Sequence, residues 1–162
     1  MLRNTFLHIP GIGPKTERDF WAAGVEAWRS FFDTGPPPLP AARRNGITEA
    51  LIESRRRLKQ GDAAYFARRL PAGEQWRLFG EFRSRTAYLD IETSGLEADS
   101  TISTIAVYDG STTATFVNGR NLNDVVDYLR PYQLLVTYNG KCFDVPVIER
   151  VLGCRIGQAH ID

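Results

Sequence analysis

The sequence predicts an α+β fold of the α/β type, with a small helical region followed by strands and helices in the order β-β-β-α-β-α. Three observations lead there. Helical apolar spacing dominates before Thr86, whereas short β-branched runs dominate after it. Asp109-Gly110 sits between two such runs, Thr101–Tyr108 and Thr112–Val117, and is a strong hairpin signal. Gly35-Pro-Pro-Pro-Leu-Pro40 cannot continue a helix and is the clearest break in the chain.

Taken in order, Thr16–Ala23 reads as a helix anchored by Phe20 and Trp21 and stopped by Gly24. Val25–Phe32 reads as a further turn or two. Beyond the proline break, residues 45–69 read as helix, with Thr48 as its cap and Ala50, Leu51, Ser54 and Leu58 on one side. Gly61-Asp62 interrupts it and Pro71 ends it. Glu74–Phe82 reads as a short helix whose aromatic stripe, Trp76, Phe79 and Phe82, is expected in the core. Ala87–Ile91 is then the first strand, followed by the hairpin. Asn121–Leu129 is a helix, Gln133–Tyr138 a buried strand ending at Asn139-Gly140, and Val145–Leu152 a helix stopped by Gly153. The expected domains are 1–35, a helical unit; 36–85, a basic helical connector; and 86–162, the sheet-bearing part.

Composition excludes several classes. No apolar run approaches the length of a membrane span. The start, Met-Leu-Arg-Asn-Thr-Phe, lacks the features of a signal peptide. Cys142 and Cys154 make neither a disulfide framework nor a zinc site, so a reducing cytoplasm is the expected compartment. The net charge of +1 conceals an uneven distribution. Residues 36–86 carry eleven Lys/Arg against five Asp/Glu, and residues 87–162 carry five against ten. A basic middle beside an acidic end fits a polyanion track next to a cation site; a solvated basic helix is the plainer alternative.

The acids carry the chemistry. Asp90 and Glu92 lie two apart in a strand, so both point to one face, with Cα atoms roughly 6.6 Å apart at strand rise. Two carboxylates so placed repel unless a cation or bulk water lies between them. Oxygen-only donors select Mg²⁺ or Mn²⁺, and paired ions roughly 3.5–4 Å apart can assist phosphodiester cleavage. Asp144 follows the second apolar strand and is the third acid. Each residue also has a plainer reading: a solvent-facing strand edge for Asp90 and Glu92, a helix cap for Asp144, and a turn for Asn139-Gly140.

Leu89-Asp-Ile-Glu-Thr-Ser-Gly-Leu96 and Tyr138-Asn-Gly-Lys-Cys-Phe-Asp144 resemble the first two motifs of the DEDD 3′–5′ exonucleases of the ribonuclease H-like superfamily, with the closest likeness to the YprB-type family. The resemblance spans about residues 86–162. It implies a mixed ribonuclease H-like sheet, a two-metal site of Asp90, Glu92 and Asp144, and a nucleic-acid substrate contacted near Thr93 and Asn139. His160-Ile-Asp162 resembles that family's His-x-Asp segment. The family's third motif, with a fourth acid and a general base, is not matched. The expectation is therefore a C-terminally incomplete domain with impaired catalysis, and apolar surface covered by a homo-oligomer. Asp162 as fourth ligand and His160 as base are the subsidiary candidates.

His8-Ile-Pro-Gly-Ile-Gly-Pro-Lys-Thr16 is the second motif. Gly11 and Gly13 permit tight backbone turns, Pro14 suits a first helical turn, and Lys15 adds charge where helix N–H groups can face phosphate. The segment resembles a helix-hairpin-helix, which implies sequence-independent nucleic-acid contact. A packed turn or a protein-docking hairpin is the alternative. Arg55, Arg56 and Arg57 are expected to add attraction for the same polyanion. A non-catalytic nucleic-acid-binding or docking module with an incomplete metal site remains the competing function.

Overall fold

The computed structural model describes residues 1–95 and 100–162. It contains two compact units, Met1–Glu81 and Phe82–Asp162.

The first unit is helical. A 3-10 turn, Leu2–Asn4, precedes α1 (Pro14–Ala22), α2 (Trp28–Asp33), α3 (Ala41–Lys59) and α4 (Ala63–Ala67). A longer 3-10 segment, Ala72–Leu78, leads into α5 (Phe79–Phe82). Pro14 occupies the first helical position of α1, where its missing N–H leaves nothing unpaired. Gly24, at φ +82°, ends the helix as expected, and Val25 N–H closes on Phe20 O. Phe6, Phe20 and Phe31 are all within 3% of complete burial and meet edge-on or tilted at 5.3–6.4 Å. Each such ring contributes about 1.5–3 kcal/mol of burial.

Three expectations need correction here. The long helix starts at Ala41, immediately after Pro40, and ends at Lys59. Thr48 is therefore no cap; it lies inside α3, where its Oγ1 donates to Arg44 O at 2.9 Å. The buried side of α3 is Ile47, Leu51 and Ser54. Gly61, at φ +72°, turns the chain, and the Asp62 carboxylate caps α4 by accepting from Tyr65 N–H. The Glu74–Phe82 stripe is not one α-helix: it is 3-10 as far as Leu78 and α only from Phe79. Trp76 is 47% exposed, with the Arg77 guanidinium 4.9 Å from its ring, while Leu78 and Phe82 enter the core.

The second unit opens with the 3-10 turn Arg83–Arg85 and then β1 (Thr86–Thr93), β2 (Ile102–Tyr108) and β3 (Thr113–Val117). A 3-10 turn and α6 (Val125–Leu129) lead to β4 (Leu134–Val136), α7 (Asp144–Leu152) and β5 (Ala159–Ile161). The sheet order is β3-β2-β1-β4-β5. The β1–β2 and β2–β3 pairs are antiparallel, and the β1–β4 and β4–β5 pairs are parallel. The mixed α+β architecture and the β-β-β-α-β-α order agree with expectation. The fifth strand, at three residues too short to show a period, is an addition. The predicted strand Gln133–Tyr138 contracts to Leu134–Val136, and Tyr138 is 94% exposed.

Alternation along β1 is clean. Leu89 and Ile91 join Ile105, Val107, Val125, Leu129, Leu135 and Ile148 in one core, while Asp90 and Glu92 are exposed. In the β2–β3 turn, the Asp109 carboxylate accepts the N–H groups of Ser111 and Thr112, and Gly110 takes φ +100°.

Candidate functional site

The acids cluster where the parallel strands end. β1, β4 and β5 run in the same direction, so Asp90 and Glu92, the β4–α7 loop and Asp162 all lie toward the carboxyl ends of neighbouring strands. Ligands in sheets of this kind bind at such ends. Pairing of β1 with β4 runs only from Thr86–Leu134 to Tyr88–Val136. Beyond Tyr88 the β1 edge is left for the loop that carries Asp144. The β1–β2 ladder shifts register between Glu92 and Thr93, a bulge that changes the aim of the following side chain. Thr93 Oγ1 then donates to Gly95 O at 2.7 Å, so its hydroxyl proton is engaged within its own loop. Leu96, the last residue of the first motif, lies outside the described residues.

Asp144 opens α7 and is 4% exposed. Burial, followed by the Asp90 charge, raises its carboxyl above the ordinary range, and Asp162 pushes the same way; backbone hydrogen bonds from Asp144 and Ile91 oppose them. The structure thus brings Asp90, Asp144 and Asp162 within electrostatic reach of one another. Glu92 shares the exposed face of Asp90 one strand period further along.

The loop before Asp144 is tightly built. Asn139 takes φ +57°, a left-handed conformation that Asn tolerates better than most residues. Its carbonyl accepts from Cys142 and Phe143 N–H. Gly140 has no room for a side chain: a Cβ there would lie 2.5 Å from Thr137 Cβ and 2.7 Å from Asp144 Oδ2. The backbone needs this glycine for close approach, which the turn reading of Asn139-Gly140 does not capture.

Asp162 organises this loop. Its Oδ1 accepts from Thr137 Oγ1 and Gly140 N–H, both at 2.6 Å, and its Oδ2 accepts from Lys141 N–H at 3.3 Å. Burial works against the carboxylate, but the Thr137 and loop hydrogen bonds outweigh it and hold Asp162 below the usual range. Thr137 spends its proton on Asp162, so His160 Nε2, 2.6 Å from Thr137 Oγ1, must be the donor in that contact. Burial, then the Lys141 charge, lowers the His160 pKa and keeps the ring neutral, against the pull of Asp162. His160 and Thr137 form a directed chain ending on the Asp162 carboxylate, which the loop N–H groups meet from the other side. Sequence reasoning named the first and last of these. It missed Thr137 and the exposed ring of Tyr138, for which an apolar run ending in Thr-Tyr offered no signal.

The donor chemistry fits a hard divalent cation. Asp90, Glu92 and Asp144 offer only oxygen, and the charges acting most strongly on Asp144 are negative. Among the described residues, no three His, Cys, Asp or Glu side chains are gathered into a ready-made metal cage.

The N-terminal candidates lie in the first unit. Gly11, at φ +79°, requires glycine, whereas Gly13 sits at an ordinary extended φ of −103° as the residue before α1. Only one of the two glycines therefore needs its special freedom. Lys15 is exposed at the start of α1, and Arg43 donates to Gly11 O at 3.2 Å. The arginine triplet splits. Arg56 and Arg57 are ion-paired with Glu53, and Arg57 also with Asp62, while Arg55 lies over the Phe32 ring at 5.7 Å. Among the described residues, no helix is long and apolar enough to cross a membrane.

Residues 87–162 match the sequence model of the RNase_H superfamily. The match covers nearly all of the second unit and is consistent with its mixed sheet. At a coarse level it points to nuclease-type chemistry on nucleic acid, which in such proteins generally uses divalent metals. No curated protein and no solved structure matches the chain.

Proposed function

We propose that the second unit is a divalent-metal-dependent nuclease site of the DEDD 3′–5′ exonuclease type. The observation that carries this reading is electrostatic. Asp144 is buried at the ends of parallel strands with Asp90 and Asp162 pressing like charge against it, an arrangement that a cation relieves.

Asp90, Glu92 and Asp144 would hold Mg²⁺ or Mn²⁺. Such an ion, when bound, lowers the pKa of water and neutralises charge on a phosphodiester. The remaining roles fall to the chain itself. Gly140 lets the loop approach Asp144 without a clash. Asp162, through Thr137 and the loop N–H groups, fixes that loop; its lone pairs serve the backbone, which suits a positioning residue better than a fourth ligand. His160 supports Thr137 and is likewise a positioning residue in this reading. Tyr138 offers an almost fully exposed ring at the head of the loop that leads to Asp144, on which a base can stack for about 1–3 kcal/mol. In the first unit, Gly11, Gly13 and Lys15 would contact phosphate backbone, as expected of a hairpin before a helix.

The test is digestion of 5′-labelled oligonucleotides with Mn²⁺. A ladder shortened from the 3′ end and abolished by Asp90→Ala supports the enzyme. Strand binding with no shortening supports the second reading, a non-catalytic nucleic-acid-binding module. That second reading is favoured by one observation, the lack of a gathered three-acid cage among the described residues.

A further inference from the structure

A cavity of about 730 Å³ opens in the first unit, within the size range of small-molecule and cofactor sites. Its cations come from three separate segments: Arg3 from the N-terminal turn, Arg29 from α2, and Arg55 and Lys59 from the last turns of α3. A single carboxylate, Asp33, joins them in the lining. Arg29 pairs with Asp33 and Arg3 with the half-buried Glu81, and both arginines are exposed, where such pairs hold weakly. Among the described residues, Arg55 and Lys59 make no ion pair. They lie one helical turn apart on the same face, a like-charge spacing that is mildly unfavourable without an anion between them.

Arg55 is aimed by its neighbours. Its guanidinium sits 5.7 Å from the Phe32 ring centroid, within cation–π range. Phe32 is fixed in turn by an edge-on contact with the buried Phe31 at 5.9 Å. A cation–π contact uses none of the guanidinium's N–H donors in a hydrogen bond to an oxygen, and those donors suit a phosphate. Trp28, Phe32 and Leu58 add apolar surface to the lining of the same cavity, so the site combines cations with rings.

We infer that this cavity binds a nucleotide phosphate, with Arg55 and Lys59 on the phosphate and Phe32 as the residue that positions Arg55. The nucleotide belongs to a single strand or is free. This site lies outside the acidic centre and does not depend on the nuclease reading.

The test uses the full chain with EDTA, which takes metal chemistry out of the experiment. Binding of a fluorescein-labelled single-stranded oligonucleotide is followed by anisotropy over a range of salt. The double variant R55A/K59A should weaken binding at least about tenfold and flatten the log–log salt slope by about 1.4, the value for two lost phosphate contacts on a single strand. The charge-matched variant R120A/R130A, at exposed positions of the second unit, should change affinity by no more than about twofold. Phe32→Leu should reproduce part of the loss with an unchanged melting curve. Displacement by micromolar AMP assigns the site to free nucleotides, and displacement only at millimolar AMP assigns it to a strand. Equal losses in the two double variants, no loss in R55A/K59A, or binding to phosphatidylglycerol vesicles without binding to either nucleotide probe would each overturn the inference.

Discussion

Among the described residues, His8 of the first unit and Asp144 of the second are both buried ionisable side chains, and these two are handled in opposite ways. His8, in the first unit, is 2% exposed, with Trp28 and Phe66 rings at 5.1 and 5.6 Å. Ser54 spends its hydroxyl proton on Ala50 O, so its contact with His8 at 2.8 Å must be donated by His8 Nε2–H. Nδ1 is then a bare acceptor and has no hydrogen-bond partner. Burial, with the Arg69 charge second, lowers the pKa from 6.5 to about 4, so the ring is neutral and serves packing. Asp144, in the second unit, is buried beside other carboxylates. Burial among rings disposes of a charge; burial among like charges leaves one to be compensated. The first arrangement is structural, and the second is the signature expected of a site that works with a cation.

The largest test of this contrast is Asp90→Ala or Asp144→Ala. Either should lower Mn²⁺-dependent cleavage by at least about 100-fold, beyond the 10–100-fold usual for an outer partner. Thr137→Val should fall within that outer range, because it breaks the chain that holds Asp162. Retained cleavage in Asp90→Ala would remove the functional side of the contrast.

His8 tests the structural side. Its folded pKa lies below the unfolded value, so protons favour the unfolded state. The associated stability is fully present above about pH 6.5 and is lost as pH falls toward 4, amounting to about 3 kcal/mol. Urea unfolding between pH 7.5 and 4 should show this loss in the native chain and a flatter profile in His8→Gln. Identical profiles would show that His8 is not the group responsible.

Gly140→Ala should cost about 1–3 kcal/mol by overpacking against Thr137, measured by urea unfolding, and should reduce cleavage as Asp144 is displaced. An unchanged midpoint would mean that the loop yields. The smallest effect belongs to Arg56→Ala. Its guanidinium is already paired with Glu53 at an exposed position, so strand affinity should shift far less than in the Arg55 and Lys59 double variant, measured by the same anisotropy titration.

The sheet and its acid-bearing face were legible because alternation is a local property. Leu89 and Ile91 inward with Asp90 and Glu92 outward follows from a period of two. The hairpin at Asp109-Gly110 and the stop at Gly153, at φ +60°, were legible for the same reason. What escaped was set by contacts distant in sequence. β5 forms only because β4 offers it an edge, and its residues alone lack a period. The roles of Thr137 and Asp162 depend on a meeting across the strand ends by residues 25 positions apart. The split within Arg55–Arg57 was equally hidden, since Glu53 and Asp62 claim two of three adjacent arginines through helical geometry. Trp76 was misplaced because spacing by three aligns side chains in either helix type and does not say whether that face meets the core, and here it is Leu78 and Phe82 that do.

The central claim is that the acids at the strand ends hold a divalent cation. Isothermal titration of Mn²⁺ into the full chain, without nucleic acid, tests it most directly. Saturable binding in the native chain that is lost in both Asp90→Ala and Asp144→Ala, with both variants folded, is the predicted result. No binding, or equal binding in the native chain and both variants, would contradict it.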